Sequence, residues 1–239
     1  MIKTFDLYDD GIGKVDYVEH MGSDLTVVNS ARVSFGVEKN ELDEKDKKLI
    51  NYLIKHRHTS TLEHNIITFR FVVPLFIRSQ HHRHRTWSYN EISRRYTEEN
   101  IRFYEPKEFR TQHKSNRQAS NIDKVNPIMG YYEDGGPKYA DSLIRQHHLE
   151  SLSLYNDLMS RGVCREQARG VLPQNMYTEY YGTCNLNNLI KFYELRTHDG
   201  AQWEIQKLAH ACMDIAKTLW PTTIESYISL KNKRSSSKK

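Results

Sequence analysis

Much is settled by what this sequence lacks. It has three cysteines in 239 residues, Cys164, Cys184 and Cys212, an odd number set far apart. No Cys-x-x-Cys pair occurs, so neither a disulfide framework nor a zinc ribbon is supported, and a reducing cytoplasm is the natural setting. Each cysteine reads as a small core residue. No run of about 18 apolar residues exists, so no membrane span is expected. The start, Met1 to Asp6, has no apolar signal-peptide core. Neither Gly-x-Gly-x-x-Gly nor a Walker loop is present, so a bound nucleotide would be held by side chains. Without Gly-x-Ser-x-Gly, a hydrolase elbow is not supported. Histidines gather at His56, His58 and His64 and at His81, His82 and His84. No His-Glu-x-x-His accompanies them, and no metal site is read from them.

Charge of one sign is also scarce. The formal excess is +5, and Lys231, Lys233, Arg234, Lys238 and Lys239 supply a large part of it. Residues 231–239 read as a basic, serine-rich, disordered tail. The body is then near neutral, where a dedicated nucleic-acid-binding protein shows a broad basic face.

Against that background one stretch stands out. Arg83-His84-Arg85-Thr86-Trp87-Ser88-Tyr89-Asn90-Glu91-Ile92-Ser93-Arg94-Arg95-Tyr96 packs four arginines into fourteen residues. Guanidinium forks match carboxylate and phosphate oxygens two at a time. Ser, Asn and Glu add neutral donors and acceptors that can read a polar ring. The stretch reads as an anion site at the exit of an apolar strand. An exposed arginine-rich loop and a nucleic-acid patch remain alternatives on composition. Ser88 and Ser93 lack a partner base and read as hydrogen-bond donors.

The periodicities place the rest. Residues 1–20 suit strand, turn and strand. Ser23-Asp24 caps a helix through Ala31 that stops near Gly36. Leu49, Ile50, Leu53 and Ile54 mark an amphipathic helix. Residues 66–73 alternate as a strand, and Pro74 opens a short helix. Ile101 to Tyr104 suits a short strand. Residues 109–137 are poor in aliphatics and read as a surface insertion, mobile or a lid. A long helix follows from Tyr139, with Leu143, Ile144, His147, Leu154, Tyr155 and Leu158 inward. Then come a short helix at Arg165, a strand from Tyr177 to Cys184, and helical stripes on Leu186–Tyr193 and Trp203–Leu219. No linker divides the chain. The sum is one α+β domain over residues 1–230, with helices packed on a small sheet. Arg165 and Arg169 share a helix face. Arg196 closes its helix at the end that favours a cation.

The arginine stretch, as Arg83-His84-Arg85-x-x-Ser88-x-Asn90-Glu91-x-Ser93-x-Arg95-Tyr96, resembles the defining motif of the flavin-dependent thymidylate synthases at every fixed position. Ala31-Arg32-Val33-Ser34, His58 to His64, Gln80, Arg169 to Pro173, Leu195-Arg196 and Ala201 to Ile205 follow in that family's order. The likeness covers roughly residues 3–106 and 138–228. It implies a small, mainly antiparallel sheet packed by helices. It implies reductive methylation of dUMP to dTMP, with methylenetetrahydrofolate as carbon donor and with FAD reduced by NADPH or NADH. It implies a homotetramer whose sites are shared between subunits, with no nucleic-acid or membrane partner. By position, Ser60, Arg83, His84, Arg85 and Glu91 would contact FAD. His58, Asn185, Asn187 and Lys191 would line the flavin. Gln80, Arg83, Glu91, Ser93, Arg94, Arg95 and Arg169 would hold dUMP, and Arg196 would favour the ionised uracil. Three positions depart from the pattern: Asn187 replaces an arginine, Lys191 a common Asn or His, and Gly200 a histidine. His198 is the candidate to serve for the last of these. A catalytically inactive relative is the further alternative.

Overall fold

The computed structural model describes residues 4–97 and 100–236, with side chains described as far as Lys233. β1 (Thr4–Asp6) and β2 (Lys14–Met21) form a hairpin. Asp10 shapes its turn, with Oδ1 accepting from the amides of Ile12 and Gly13 at 2.9 Å each. α1 (Asp24–Arg32) and α2 (Glu44–Lys55) each begin with a reciprocal capping box, Ser23 with Thr26 and Asp43 with Asp46. A 3-10 turn over Thr59–Leu62 leads into β3 (Ile66–Pro74), α3 (Leu75–His81) and the short β4 (Ser88–Glu91). After the insertion come α4 (Ala140–Ser160), α5 (Arg165–Ala168), β9 (Tyr177–Asn185), α6 (Leu186–Arg196), α7 (Trp203–Leu219) and α8 (Pro221–Ser236).

Five strands form one sheet in the order β1-β2-β3-β9-β4, with every neighbouring pair antiparallel. The α+β class and the mainly antiparallel sheet are as the sequence implied. Alternation decides which face is buried. Ile67, Phe69, Phe71 and Val73 are fully buried, whereas Thr68 and Arg70 on the opposite face are partly exposed. Leu186, Leu189 and Phe192 of α6 and Ile205, Leu208, Cys212 and Ile215 of α7 join them in one core. Each such side chain contributes about 1.5–3 kcal/mol on burial, so this layer fixes where the sheet's ends lie. A smaller cluster of Tyr155, Ala168, Leu172 and Met176 joins α4 to the 165–176 segment. Among the described residues no helix is long and apolar enough to cross a membrane.

Several expectations are corrected. The insertion is folded, as two hairpins, β5 (Phe109–Gln112) with β6 (Ser120–Val125) and β7 (Ile128–Tyr131) with β8 (Pro137–Tyr139). Gly135, at φ 82°, serves the β7–β8 turn, and Gly130 lies within β7 where the register shifts. The start of the supposed 231–239 tail belongs to α8, which runs through Ser236, and residues 237–239 lie outside the described ones. The Lys231 ammonium sits 4.3 Å from the Tyr193 ring and donates to Thr197 Oγ1 at 2.8 Å, which holds that end in place. Pro221 opens α8, and Asp24, only 5% exposed, accepts from the amides of Thr222 and Thr223 at that helix's start. Cys164 is exposed, on the turn before α5, while Cys184 and Cys212 are core residues. On α4 it is His148, not His147, that is buried, and Leu154 is exposed. Ile101 to Tyr104 contributes only a single bridge, Phe103 to Met176.

Candidate active site

The arginine stretch leaves α3, turns, and runs as β4 along the open edge of β9. Gly182 permits this close approach. A Cβ there would stand 2.8 Å from the Phe71 ring and 3.4 Å from Trp87. Trp87 is buried, and Tyr89 donates its hydroxyl to the carbonyls of His81 and His84 at 2.9 and 3.2 Å. The Arg83–Arg85 turn is therefore pinned from below by aromatic residues.

Arg196, at the last turn of α6, reaches this turn from the far end of the chain. Its Nε donates to His84 Nε2 at 3.0 Å, and its Nη2 donates to the Gln80 carbonyl at 2.9 Å. Burial and the neighbouring Arg196 cation push the His84 imidazole down to about 4. His84 is thus neutral near pH 7 and can accept with the lone pair of Nε2. Two fixed acceptors orient the guanidinium, and its Nη1 group has no partner among the described residues. The Gln80 side chain bonds Gln202 Oε1 at 2.6 Å, so α3, α6 and the start of α7 meet here.

Glu91 is firmly held. Arg78 donates to both of its oxygens, at 3.0 and 2.8 Å, and Thr178 Oγ1 donates at 2.6 Å. Ser93 caps the next turn, accepting from the Arg95 amide at 3.3 Å. Arg94 is buried, and burial lowers its pKa. Arg83, Arg85 and Arg95 are exposed. Arg95 and Arg165 line a cleft of about 410 Å³ beside Cys164 and Gly162. Arg169 is exposed and turns back to the Glu166 carbonyl at 3.4 Å. Among the described residues no hydrogen bond or ion pair joins Arg169 to the arginine stretch.

The residues expected on the flavin side fall in two places. His58, Asn187 and Lys191 line one pocket of about 330 Å³ between α2, α6 and α8. Its walls include Leu53, Ile54, Leu62 and Ile190. Asn187 is buried and donates to Glu63 Oε1 at 2.8 Å, while Lys191 is exposed. Asn185 serves as the N-cap of α6, accepting from the Asn188 amide at 2.9 Å, and Ser60 is exposed on the 3-10 turn. His198 is exposed and accepts from the Gly200 amide at 3.1 Å.

Sequence reasoning missed Tyr227 and Lys231, which complete the pocket from α8, and Arg78 and Thr178, which hold Glu91. For Arg78 a signal existed, a cation one turn into the helix that opens at Pro74. For Lys231 there was none, because a basic run at a chain end looks the same whether it packs or not.

Comparison with known proteins matches residues 16–222 to the family described as "Thymidylate synthase complementing protein". A flavin-dependent thymidylate synthase of Thermus thermophilus is 43% identical over 209 residues, 87% of this chain and 73% of that one. Another, from Thermotoga neapolitana, is 38% identical over 216 residues, 90% of this chain and 91% of that one. A solved structure of the UMP/dUMP methylase PolB from Streptomyces cacaoi, bound with 5-Br dUMP, superposes with a TM-score of 0.76 at 32% identity, over 94% of this chain and 97% of that one.

Proposed function

From the premise that the chain belongs to the Thymidylate synthase complementing protein family, whose relatives here are flavin-dependent thymidylate synthases, we propose the chemistry of each part of its site. The protein is a methyltransferase that converts dUMP to dTMP, with methylenetetrahydrofolate as carbon donor and FAD as its flavin. NADPH is the proposed source of electrons. Bound FAD supplies the hydride that completes the new methyl group. Everything else falls to the residues described above.

The observation that carries the mechanism is the clamped Arg196. For uracil C5 to attack the methylene group, negative charge must develop along the N3 and O4 edge of the ring. An oriented guanidinium with an unengaged Nη1 stabilises that charge where it forms, without reorganising. Neutral His84 and the Gln80 carbonyl hold the cation without cancelling it. The Gln80 side chain, Ser93, Arg94 and Arg95 are the proposed contacts to the nucleotide, with exposed Arg95 suited to phosphate. Glu91, held rigid by Arg78, is the carboxylate proposed to serve both nucleotide and flavin.

The residues present fit part of a flavin dinucleotide. Apolar walls with one buried amide, Asn187, and one cation, Lys191, suit a planar heterocycle with a polar edge. Arg83 and Arg85, exposed on their turn, suit the diphosphate. His58 lines that pocket, and exposed Ser60 follows Thr59 of its wall. A homotetramer with shared sites is supported by large apolar side chains left exposed, among them Phe35 at 83%, Ile122 at 95% and Leu195 at 59%. A nucleic-acid role is disfavoured, since Arg70, Arg78 and Arg196 are paired within the chain and Arg94 is buried.

The test is direct. The purified protein should be yellow and should release tritium from C5-labelled dUMP only when methylenetetrahydrofolate and NADPH are present. Arg196→Ala should keep its flavin and lose about 10²–10³-fold in kcat, the range for removing one electrostatic donor. A colourless protein that binds DNA with steep salt dependence would overturn the reading. Full activity in Arg196→Ala would remove the assigned role of the guanidinium.

A further inference from the structure

Nothing in the proposed chemistry uses the first insertion hairpin, yet it is tied to the site by a buried charge. Arg110 of β5 donates through Nη2 to both oxygens of Glu204, at 3.0 and 2.8 Å. Glu204, in the first turn of α7, is only 4% exposed and also accepts from the Tyr104 hydroxyl at 3.1 Å. The Arg110 Nε donates across the hairpin to Ser120 Oγ at 3.1 Å, and its guanidinium lies 5.6 Å from the Trp203 ring. A buried carboxylate left without its cation is strongly unfavourable, so this contact is built into the fold.

The hairpin's tip meets the site a second time. His113 Nδ1 accepts from the amides of Ser115 and Asn116 at 3.2 and 3.0 Å, and Gln112 Nε2 donates to the Ala119 carbonyl at 3.1 Å, so the tip is an ordered turn. Asn116 Nδ2 stands 3.7 Å from where a Cβ on Gly200 would lie.

Gly200 and Glu204 bracket the second half of one closed circuit. Arg196 donates to the Gln80 carbonyl, the Gln80 side chain donates to Gln202, and Gln202 leads back through residues 197–201 to Arg196. Within 197–201 the bonds are mostly short-range, such as Ala201 N to the His198 carbonyl at 2.8 Å and Gly200 N to His198 Nδ1 at 3.1 Å. That segment has no strand or helix to stiffen it.

We propose that the β5–β6 hairpin is a strap over the segment joining Arg196 to α7, and that Arg110 and Glu204 are positioning residues for Gln80 and Arg196. The link to turnover rests on the functional reading above; the mechanical link does not. With the strap loosened, Gln202 no longer fixes Gln80, and the nucleotide's ring is held less well against Arg196. The flavin pocket, walled by α2, α6 and α8, is untouched.

Two variants of the full-length protein test this, with three readouts: amide hydrogen exchange over residues 197–203, steady-state kinetics with dUMP, and the urea midpoint. Arg110→Met should speed exchange in that segment by about tenfold or more, because the local opening energy falls. It should raise the KM for dUMP by about fivefold or more through lost positioning, with flavin per protomer unchanged. Its midpoint will also fall. Arg110→Met with Glu204→Gln removes the unpaired charge while leaving Tyr104 its acceptor. There the midpoint should recover while fast exchange and high KM persist. If the double variant restores all three readouts, or if Arg110→Met lowers the midpoint alone, the strap is overturned and the pair is merely structural. Should Arg110→Met fail to fold, the double variant carries the same comparison. A wild-type protein that makes no dTMP would sink the functional reading, and the exchange measurement would still decide the strap.

Discussion

His84 shows how a single residue couples stability to function. Burial, then the Arg196 cation, push its imidazole from the ordinary 6.5 down to about 4. An unfolded chain takes up a proton on this histidine below pH 6.5, whereas the folded chain does so only near pH 4. Its contribution to stability is therefore fully present above pH 6.5 and is lost as pH falls through that window. At the lower end the protonated ring can no longer accept from Arg196, and the clamp opens. Fully buried His81 is shifted down as well, by burial first, and acts in the same direction. Replacing His84 with Phe should make the fall in urea midpoint between pH 6.5 and pH 5 shallower without abolishing it, since His81 remains. A variant whose midpoint follows the wild-type pH slope would show that His84 does not titrate this way. The motif makes His84 visible in sequence as a flavin-side residue. Its bond to Arg196 could not be read there, because the two side chains meet only once α6 has packed on the sheet.

Among the elements, α8 shows the limit of periodicity. α2, β3, α6 and α7 were legible because each buries one regular face, so their spacing carries the signal. α8 was not, because Pro221 looks like a stop and the lysines that follow look like a solvated tail. What makes it a helix is a contact from the other end of the chain. Asp24, buried on α1, accepts from the amides of Thr222 and Thr223 and from Thr223 Oγ1 at 2.5 Å. That carboxylate satisfies orphan amides at the helix start and faces the positive end of its dipole. Asp24→Asn keeps the shape but removes the charge and one acceptor. It should cost about 1–3 kcal/mol, the range for a disrupted buried hydrogen bond to a charged group. Because Tyr227 and Lys231 of α8 wall the pocket proposed for the flavin, the same variant should lose flavin on gel filtration. A normal urea midpoint with full flavin would show that α8 is held by its apolar face alone. The two hairpins of the insertion went unread for a related reason. Its strands pair only locally and bury little, so neither alternation nor aliphatic content marks them, and Arg110 becomes meaningful only beside Glu204.

At the scale of the whole molecule, the arginines proposed to serve one nucleotide are not all tied to one another among the described residues of one chain. Arg196 sits on the turn that follows Gln80, and Arg94 and Arg95 follow β4, but Arg169 donates to the Glu166 carbonyl and, among the described residues, makes no hydrogen bond or ion pair to that stretch. The chain also leaves Leu195, the neighbour of Arg196, 59% exposed, and Tyr96 beside Arg95 78% exposed. Apolar groups exposed at the rim of a site suit a surface that a second copy covers, with Arg169 supplied across that boundary. A subunit-mixing experiment follows from this arrangement. Arg169→Ala and Arg196→Ala should each be nearly inactive as pure oligomers. When the two are unfolded together and refolded, some sites receive an intact Arg169 from one subunit and an intact Arg196 from another. Turnover reports this: the mixture should regain a measurable fraction of wild-type activity, while either variant refolded alone should not. Were Arg169 to serve the Arg196 of its own chain, every site in the mixture would carry one defect and activity would stay at the level of the separate variants.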